Sequence, residues 1–334
     1  MNNINICLAC DENYAFLARV AMTSVMRNNS SVCFFLLDNG LTRKSKDEMM
    51  KLCNEYHAEI VFLNCDKIVT NLKEMGFNPQ GPYKSYSAYL RLFLVEFLPD
   101  TVDKILYIDC DVTCENSLNE LFAMDLEAHT LAGISDVLPS LHNEYIGFKS
   151  SEAYYNSGVL LIDVKAWKEK KYSKKIIDLL HSGRTQYPYH DQDLINIVFR
   201  NDIYRLKPKY MTMYPAYTWG RENIKKYLEV EMLYTAQEYA EAVKNPVLIH
   251  HLDNIEGRPW EKSVVSDSKG AEYWNKSATI AFPDGELPKW NKKISLKGKI
   301  LRCFYHTFPK LYFIYMKKNR HESVKKRCES YQGE

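Results

Sequence analysis

Glycine is scarce in this chain of 334 residues, with 13 in all. None of them spells G-x-G-x-x-G behind the first apolar run or G-x-x-x-x-G-K-[ST] anywhere. Without either phosphate-cradling loop, the dinucleotide dehydrogenases and the P-loop nucleotidases are excluded. Long apolar runs are missing too: none approaches the roughly 20 residues needed to cross a bilayer. The N-terminus, MNNINICLAC, lacks a basic stretch followed by an apolar one and a small-residue cleavage site. Both absences predict a cytoplasmic protein. Disulfide patterning is equally absent, because the nine cysteines at 7, 10, 33, 53, 65, 110, 114, 303 and 328 are odd in number and scattered through apolar strands. Buried free thiols are expected. Cys7 and Cys10 have metal-clip spacing, yet both fall inside an apparent strand rather than a knuckle loop. No segment repeats at a fixed period.

What the chain does contain is an ordinary globular balance, 46% hydrophobic and 26% charged, with 24 tyrosines. The net charge of +2 hides an asymmetry: residues 289–334 hold 13 Lys or Arg against 3 Asp or Glu, leaving 31 against 39 in residues 1–288. An acidic body carries a basic tail. Within that tail Phe304, Phe308, Leu311 and Tyr315 interleave with Lys and Arg, the pattern of a segment lying on an anionic membrane surface. Pro309 forbids one unbroken helix there.

Apolar β-rich runs alternate with helical patterns, as in an α/β layer structure with a mainly parallel sheet. The periodicity predicts strands over Asn5–Ala9, Cys33–Leu37, Glu59–Leu63, Lys104–Ile108, Leu131–Ile134, Ser157–Asp163 and Pro246–His250. Helices are predicted over Ala15–Asn28, Thr42–Tyr56, Ser87–Phe97, Ser173–Leu180 and Asp191–Phe199. The loop Asn78–Pro82, NPQGP, reads as a hinge. A catalytic domain over 1–262 and a helical, basic and aromatic extension over 263–334 are expected.

The segment Ile105–Cys114, ILYIDCDVTC, carries the most chemistry. Period-2 alternation sends Asp109 and Asp111 to one side of a buried strand and Cys110 to the other. Two carboxylates so placed need a cation, and hard oxygens suit Mn²⁺ or Mg²⁺, which gather substrate phosphates. His250-His251 follows the strand-like PVLI and offers a third ligand. After the first strand, Ala9-Cys10-Asp11-Glu12-Asn13-Tyr14 forms an acidic and amide-bearing turn at the sheet edge where α/β proteins bind ligands. Asp11 or Asn13 can reach a base edge or ribose and Tyr14 can stack, although capping of the next helix explains Asp11 or Asn13 equally well. Asn156, Ser157 and Gly158 open another buried strand with small residues that admit a sugar. His190-Asp191-Gln192-Asp193 opens a helix, where negative charge is stabilised.

These motifs together resemble glycosyltransferase family 8. The matching pieces, in order, are ACDENY (9–14), SAYLRLFLVEFLP (87–99), DKILYIDCDV (103–112), YYNSGVLLIDVKAW (154–167), HDQDLIN (190–196) and HHLDNIEGRPW (250–260). The resemblance implies a GT-A fold, a Rossmann-like and mainly parallel sheet flanked by helices, with a UDP-sugar donor held by Mn²⁺ or Mg²⁺. It implies that Asp109, Asp111 and a histidine of His250-His251 bind the metal, with His251 favoured by its spacing to Arg258-Pro259-Trp260. Ala9, Asp11, Asn13 and Tyr14 match the uridine turn, and Arg91 and Arg258 match phosphate contacts. Cys110 lies within the metal motif, and Asp136, Asn156, Ser157, Asp191 and Gln192 match positions around the transferred sugar. Arg258 stands where the family has lysine, keeping the charge and offering a bidentate grip.

The implied activity is retaining transfer of galactose or glucose from UDP-galactose or UDP-glucose to a lipid-linked saccharide of lipopolysaccharide, lipooligosaccharide or capsule. The enzyme is expected to sit peripherally on the inner face of the plasma membrane through residues 289–334, without nucleic acid. Gln192 matches the residue nearest the anomeric carbon, and Asp191 is chemically the better nucleophile. Metal-dependent phosphoryl transfer or sugar-nucleotide hydrolysis, and non-catalytic binding of a sugar nucleotide, are the alternatives.

Overall fold

A computed structural model describes residues 3–77, 79, 85–139, 141–181, 187–214, 216–229, 234–253, 255, 257–261, 269–283, 285, 287, 290 and 294–330. The expected hinge at Asn78–Pro82, apart from position 79, and the expected boundary at 262/263 lie outside them. The chain packs into two units, the first from residues 1–134 and 155–206, the second from 135–154 and 207–334.

The first unit contains β1 (Ile4–Cys10), β2 (Val32–Asp38), β3 (Glu59–Asn64), β4 (Lys104–Ile108), β5 (Val112–Cys114), β6 (Leu131–Ser135), β7 (Tyr155–Asp163) and β8 (Ile203–Arg205). Among the described residues, seven of these form one sheet in the order β3-β2-β1-β4-β7-β6-β8. β1 runs parallel to β2 and β4, β2 to β3 and β6 to β8, while β7 is antiparallel to β4. The mainly parallel sheet is as expected, with one reversed strand in its middle. β2 is buried at every position, as a strand covered on both faces must be, whereas β3 at the edge alternates between exposed and half-buried residues.

Strand order turns around at β1 and β4: β2 and β3 extend outward on one side, and β4 opens the other. Connections from neighbouring strands therefore leave in opposite directions, and a crevice opens at the carboxyl ends of β1 and β4. Asp11 follows β1 and Asp109 follows β4, so the topology brings the two acidic turns of the sequence to one place.

The stretch Ser87–Phe97 differs from a regular helix. Ser87–Leu90 is one helical turn, and Arg91–Phe97 tightens into a 3₁₀ helix. Arg91 to Val95 are all buried, so no 3.6-residue polar stripe faces solvent, and packing against Cys7, Ala9, Ile105 and Tyr107 of β1 and β4 sets the conformation. All nine cysteines are free thiols, eight of them buried.

In the second unit, β9 (Thr212–Met213) and β10 (Leu248–His250) pair in parallel. The helix Ala236–Lys244 starts with a capping box between Thr235 and Glu238. The basic tail folds as two helices, Leu296–Thr307 and Pro309–Ser330, and the break falls at Phe308 before the proline. Tyr312 and Phe313 are buried with Tyr227, and Trp219, Leu301, Phe304 and Tyr305 pack around them. Leu296, Ile300, Phe308, Leu311 and Ile314 stay more than half exposed. No helix among the described residues is long and apolar enough to cross a membrane.

Candidate functional site

In the first unit, Asp109 leaves β4 with its N–H donating to the Gly158 carbonyl on β7 at 2.9 Å. Its Oδ1 accepts from the Tyr107 hydroxyl at 2.9 Å and lies 2.8 Å from Nη2 of Arg91. Arg91 comes from the buried 3₁₀ segment, and every nitrogen of its guanidinium meets a protein oxygen. Nε donates to the Ala88 carbonyl at 2.9 Å and lies 3.1 Å from Asp191 Oδ2, while Nη1 donates to the Ser157 carbonyl at 2.6 Å and to its hydroxyl at 3.1 Å. The Tyr107 ring covers one face of the cation at 4.5 Å.

Asp191 and Gln192 enter from the start of the helix His190–Val198. Ser157 donates its hydroxyl to Asp191 Oδ2 at 3.0 Å and its N–H to Gln192 Oε1 at 3.0 Å. Asn156 folds back so that its Oδ1 accepts from Gly158 N at 2.8 Å. The capping job in HDQD belongs to Asp193, which accepts from Tyr189 N at 2.8 Å, leaving Asp191 to Arg91. His190, at φ +51°, takes a left-handed conformation as the helix begins. Five sequence-predicted residues, Arg91, Asp109, Ser157, Asp191 and Gln192, are thus joined in one polar network, buried except at the half-buried Asp109.

Two carboxylates share this one cation. Burial pushes the Asp191 carboxyl up to about 6, against the pull of Arg91, with Asp109 adding to the rise. Burial alone would lower the Arg91 guanidinium, but Asp109 and Asp191 outweigh it and hold the proton more tightly than usual. The Tyr107 phenol is raised by burial and stays a hydrogen-bond donor.

Asp111 is half-buried, one residue beyond the buried Cys110, whose thiol donates to the Ala9 carbonyl at 3.3 Å. The two aspartates offer hard carboxylate oxygens at a strand end. That donor set fits Mg²⁺ or Mn²⁺. In the β1 turn, Asp11 Oδ1 accepts from Asn13 N at 3.0 Å and Tyr14 N at 3.2 Å, so its carboxylate caps the turn. Asn13 is exposed and Tyr14 half-buried.

The remaining predicted residues belong to the second unit. Asp136 donates its N–H to the Tyr154 carbonyl at 2.8 Å, and its Oδ1 accepts from Val137 N at 2.6 Å. His250 ends β10 beside Met213. The His251 ring meets Trp260 edge-on with centroids 6.2 Å apart, and a β-carbon on Gly270 would stand 3.8 Å from its Nδ1. Gly257 takes φ +84°, a turn that glycine allows, and the Arg258 guanidinium lies 5.8 Å from the centre of the Trp260 ring.

Sequence reasoning missed Tyr107 and Asn196. Tyr107 lies two residues before Asp109 and so shares its side of the strand. Asn196 lies one helical turn after Gln192, accepts from Tyr155 N at 2.8 Å and donates to Tyr155 O at 2.8 Å, pinning the start of β7. Period-2 and i, i+4 spacing were the available signals.

The sequence pattern described as "Glycosyl transferase family 8" matches residues 5–263. A lipopolysaccharide 1,2-glucosyltransferase of Escherichia coli K12 is 26% identical over 272 residues, covering 79% of this chain and 75% of the relative. General stress protein A of Bacillus subtilis is 22% identical over 271 residues, covering 78% and 88%. Among solved structures, the galactosyltransferase LgtC in complex with donor and acceptor sugar analogs superposes with a TM-score of 0.68 at 22% identity, covering 89% of this chain and 99% of that one. It has the same fold.

Proposed function

The chain belongs to glycosyltransferase family 8, and we propose that it moves a hexose, galactose or glucose, from a UDP-sugar to a saccharide of lipopolysaccharide, lipooligosaccharide or capsule, with retention of anomeric configuration. The observation that carries this reading is the largely buried network of Arg91, Asp109, Ser157, Asp191 and Gln192 at the carboxyl edge of the sheet, because such a costly arrangement of charge is kept where chemistry needs it.

Asp109 and Asp111 would hold Mn²⁺ or Mg²⁺, with a histidine of the pair at 250–251. His250 is the better candidate, since neighbouring residues on a strand point opposite ways and His251 packs against Trp260. The metal, when bound, would supply positive charge against the departing diphosphate. Arg258 adds a guanidinium suited to phosphate oxygens. Arg91, whose nitrogens already meet protein oxygens, serves by holding Asp109 and Asp191 in position.

Gln192 is an amide whose Oε1 accepts from Ser157 N, a poor nucleophile. The acceptor hydroxyl therefore attacks from the leaving-group face and gives its proton to the departing phosphate. A glycosyl adduct trapped on Asp191 in a slow variant would refute this route. The uridine side of the donor falls to the turn Ala9–Tyr14, with Tyr14 stacking on the base, and Asp136 and Asn156 face the sugar.

The acceptor is lipid-linked and met at the cytoplasmic face of the membrane. Support comes from five exposed apolar side chains on the tail, Leu296, Ile300, Phe308, Leu311 and Ile314, among lysines. The deciding experiment is a panel of UDP-sugars with Mn²⁺, reading UDP release with and without saccharide acceptors. One hexose donor should turn over, faster with acceptor, and Asp111→Asn should abolish it. Equal donor loss with and without any acceptor would favour a hydrolase instead.

A further inference from the structure

The basic tail does more than present an apolar ridge. Residues 136–154 leave the sheet after β6 and return at β7, an excursion of 19 residues that carries Asp136. A connection this long needs tethers to hold one conformation. Two lie at its ends: Ser135 N donates to the Tyr234 hydroxyl at 2.9 Å, and Asp136 N donates to the Tyr154 carbonyl at 2.8 Å. The others come from the C-terminal helix Pro309–Ser330. Arg320 Nη2 donates to the Val137 carbonyl at 2.5 Å, one residue beyond Asp136. Eight residues further along the helix, the buried Cys328 thiol lies 3.7 Å from Nδ1 of the fully buried His142, whose ring packs edge-on against Tyr154 with centroids 5.1 Å apart.

We propose that Arg320 is a positioning residue for the donor sugar, acting through Val137 to hold Asp136. The proposal rests on the reading that Asp136 faces the transferred sugar. A guanidinium suits the task, because a charged donor on a carbonyl makes a stronger bond than a neutral one and the planar group is always protonated. The helix around it is fixed on the same side of the chain by Lys317 and His321, 3.2 and 3.3 Å from the Glu229 carboxylate. Chain 183 residues away in sequence thus determines the backbone next to Asp136. Deleting the tail would remove this brace together with the ridge, so deletion cannot isolate the membrane contact.

The test uses the full chain with Arg320→Ala, Arg320→Lys, Asp136→Asn and the double variant Arg320→Ala/Asp136→Asn. The first readout is hydrogen exchange without ligand. Amides of Asp136 and Phe148, both hydrogen-bonded, should lose protection in Arg320→Ala while those of β1 and β2 keep theirs. Unchanged protection at Asp136 overturns the brace. The second readout is UDP release from UDP-galactose and UDP-glucose with Mn²⁺. Arg320→Ala should lower kcat/KM about tenfold, Arg320→Lys should recover part of it, and the double variant should be no worse than Asp136→Asn. Losses that multiply in the double variant overturn action through Asp136. If Asp136→Asn turns over donor like the wild type while protection still collapses in Arg320→Ala, the brace stands and the sugar-facing reading of Asp136 fails.

Discussion

Replacing Arg91 by methionine removes the cation from between two carboxylates and leaves most of the side-chain volume in place. One guanidinium serves Asp109 at 2.8 Å and Asp191 at 3.1 Å, and it is 6% exposed. Deleting one partner of a buried ion pair costs about 3–5 kcal/mol. With two acids stranded at once, the upper part of that range, about 4–5 kcal/mol, is expected. The loss must depend on pH. In the unfolded chain Asp191 titrates near the free value of about 4, and in the folded protein near about 6, so folding takes up a proton between these limits and stability falls as pH rises through them. Without Arg91 the folded carboxyl titrates higher still and the window widens upward. The deficit should therefore be largest near neutral pH and shrink below the Asp191 titration, where the neutral Asp191 carboxyl no longer needs the cation. Hydrogen exchange of peptides covering β4 and β7 reads the first unit alone and avoids assuming that both units unfold together. A deficit under about 1 kcal/mol, or one equal at both pH values, would refute the buried-cation account.

Three further outcomes follow from the same reasoning. Asp202 accepts from Thr130 N and Oγ1, from Lys170 Nζ and from the Tyr172 hydroxyl. Burial opposes ionisation there, but these donors outweigh it and hold the carboxyl below the usual range. Asp202→Ala should destabilise the first unit by about 2–3 kcal/mol at neutral pH, an effect lost in acid as the carboxyl protonates, and steady-state kinetics below the melting range should not change. His250→Ala should abolish Mn²⁺-dependent UDP release, whereas His251→Phe, filling the space beside Trp260, should keep it; the reverse result would return the metal role to His251. Exchanging Leu311 and Ile314 for glutamine should weaken binding to vesicles of anionic lipid about tenfold or more while sparing turnover of the soluble donor, and unchanged vesicle affinity would remove the ridge from the membrane reading.

Much of this was legible in the chain because it depends on neighbours in sequence. An apolar run ending in two aspartates places both at a strand end by period 2 alone, and Pro309 breaks the tail helix because it lacks an N–H and clashes with the preceding turn. The alternation of strands and helices sufficed for a mainly parallel sheet and, with six motifs in order, for the family. Pairings between distant segments were a different matter. Periodicity does not tell which acid of HDQD caps the helix and which meets Arg91, a choice that depends on where the 3₁₀ segment places the buried Arg91. Nor does spacing tell which of two adjacent histidines packs against Trp260, or that the far end of a basic tail holds the backbone beside Asp136. The sequence by itself determined most of the elements, though not the 3₁₀ form of Arg91–Phe97, and the chemistry each one carries. The tertiary structure decided which charge answers which, because burial makes an unpaired charge costly and only packing shows what partner stands within reach.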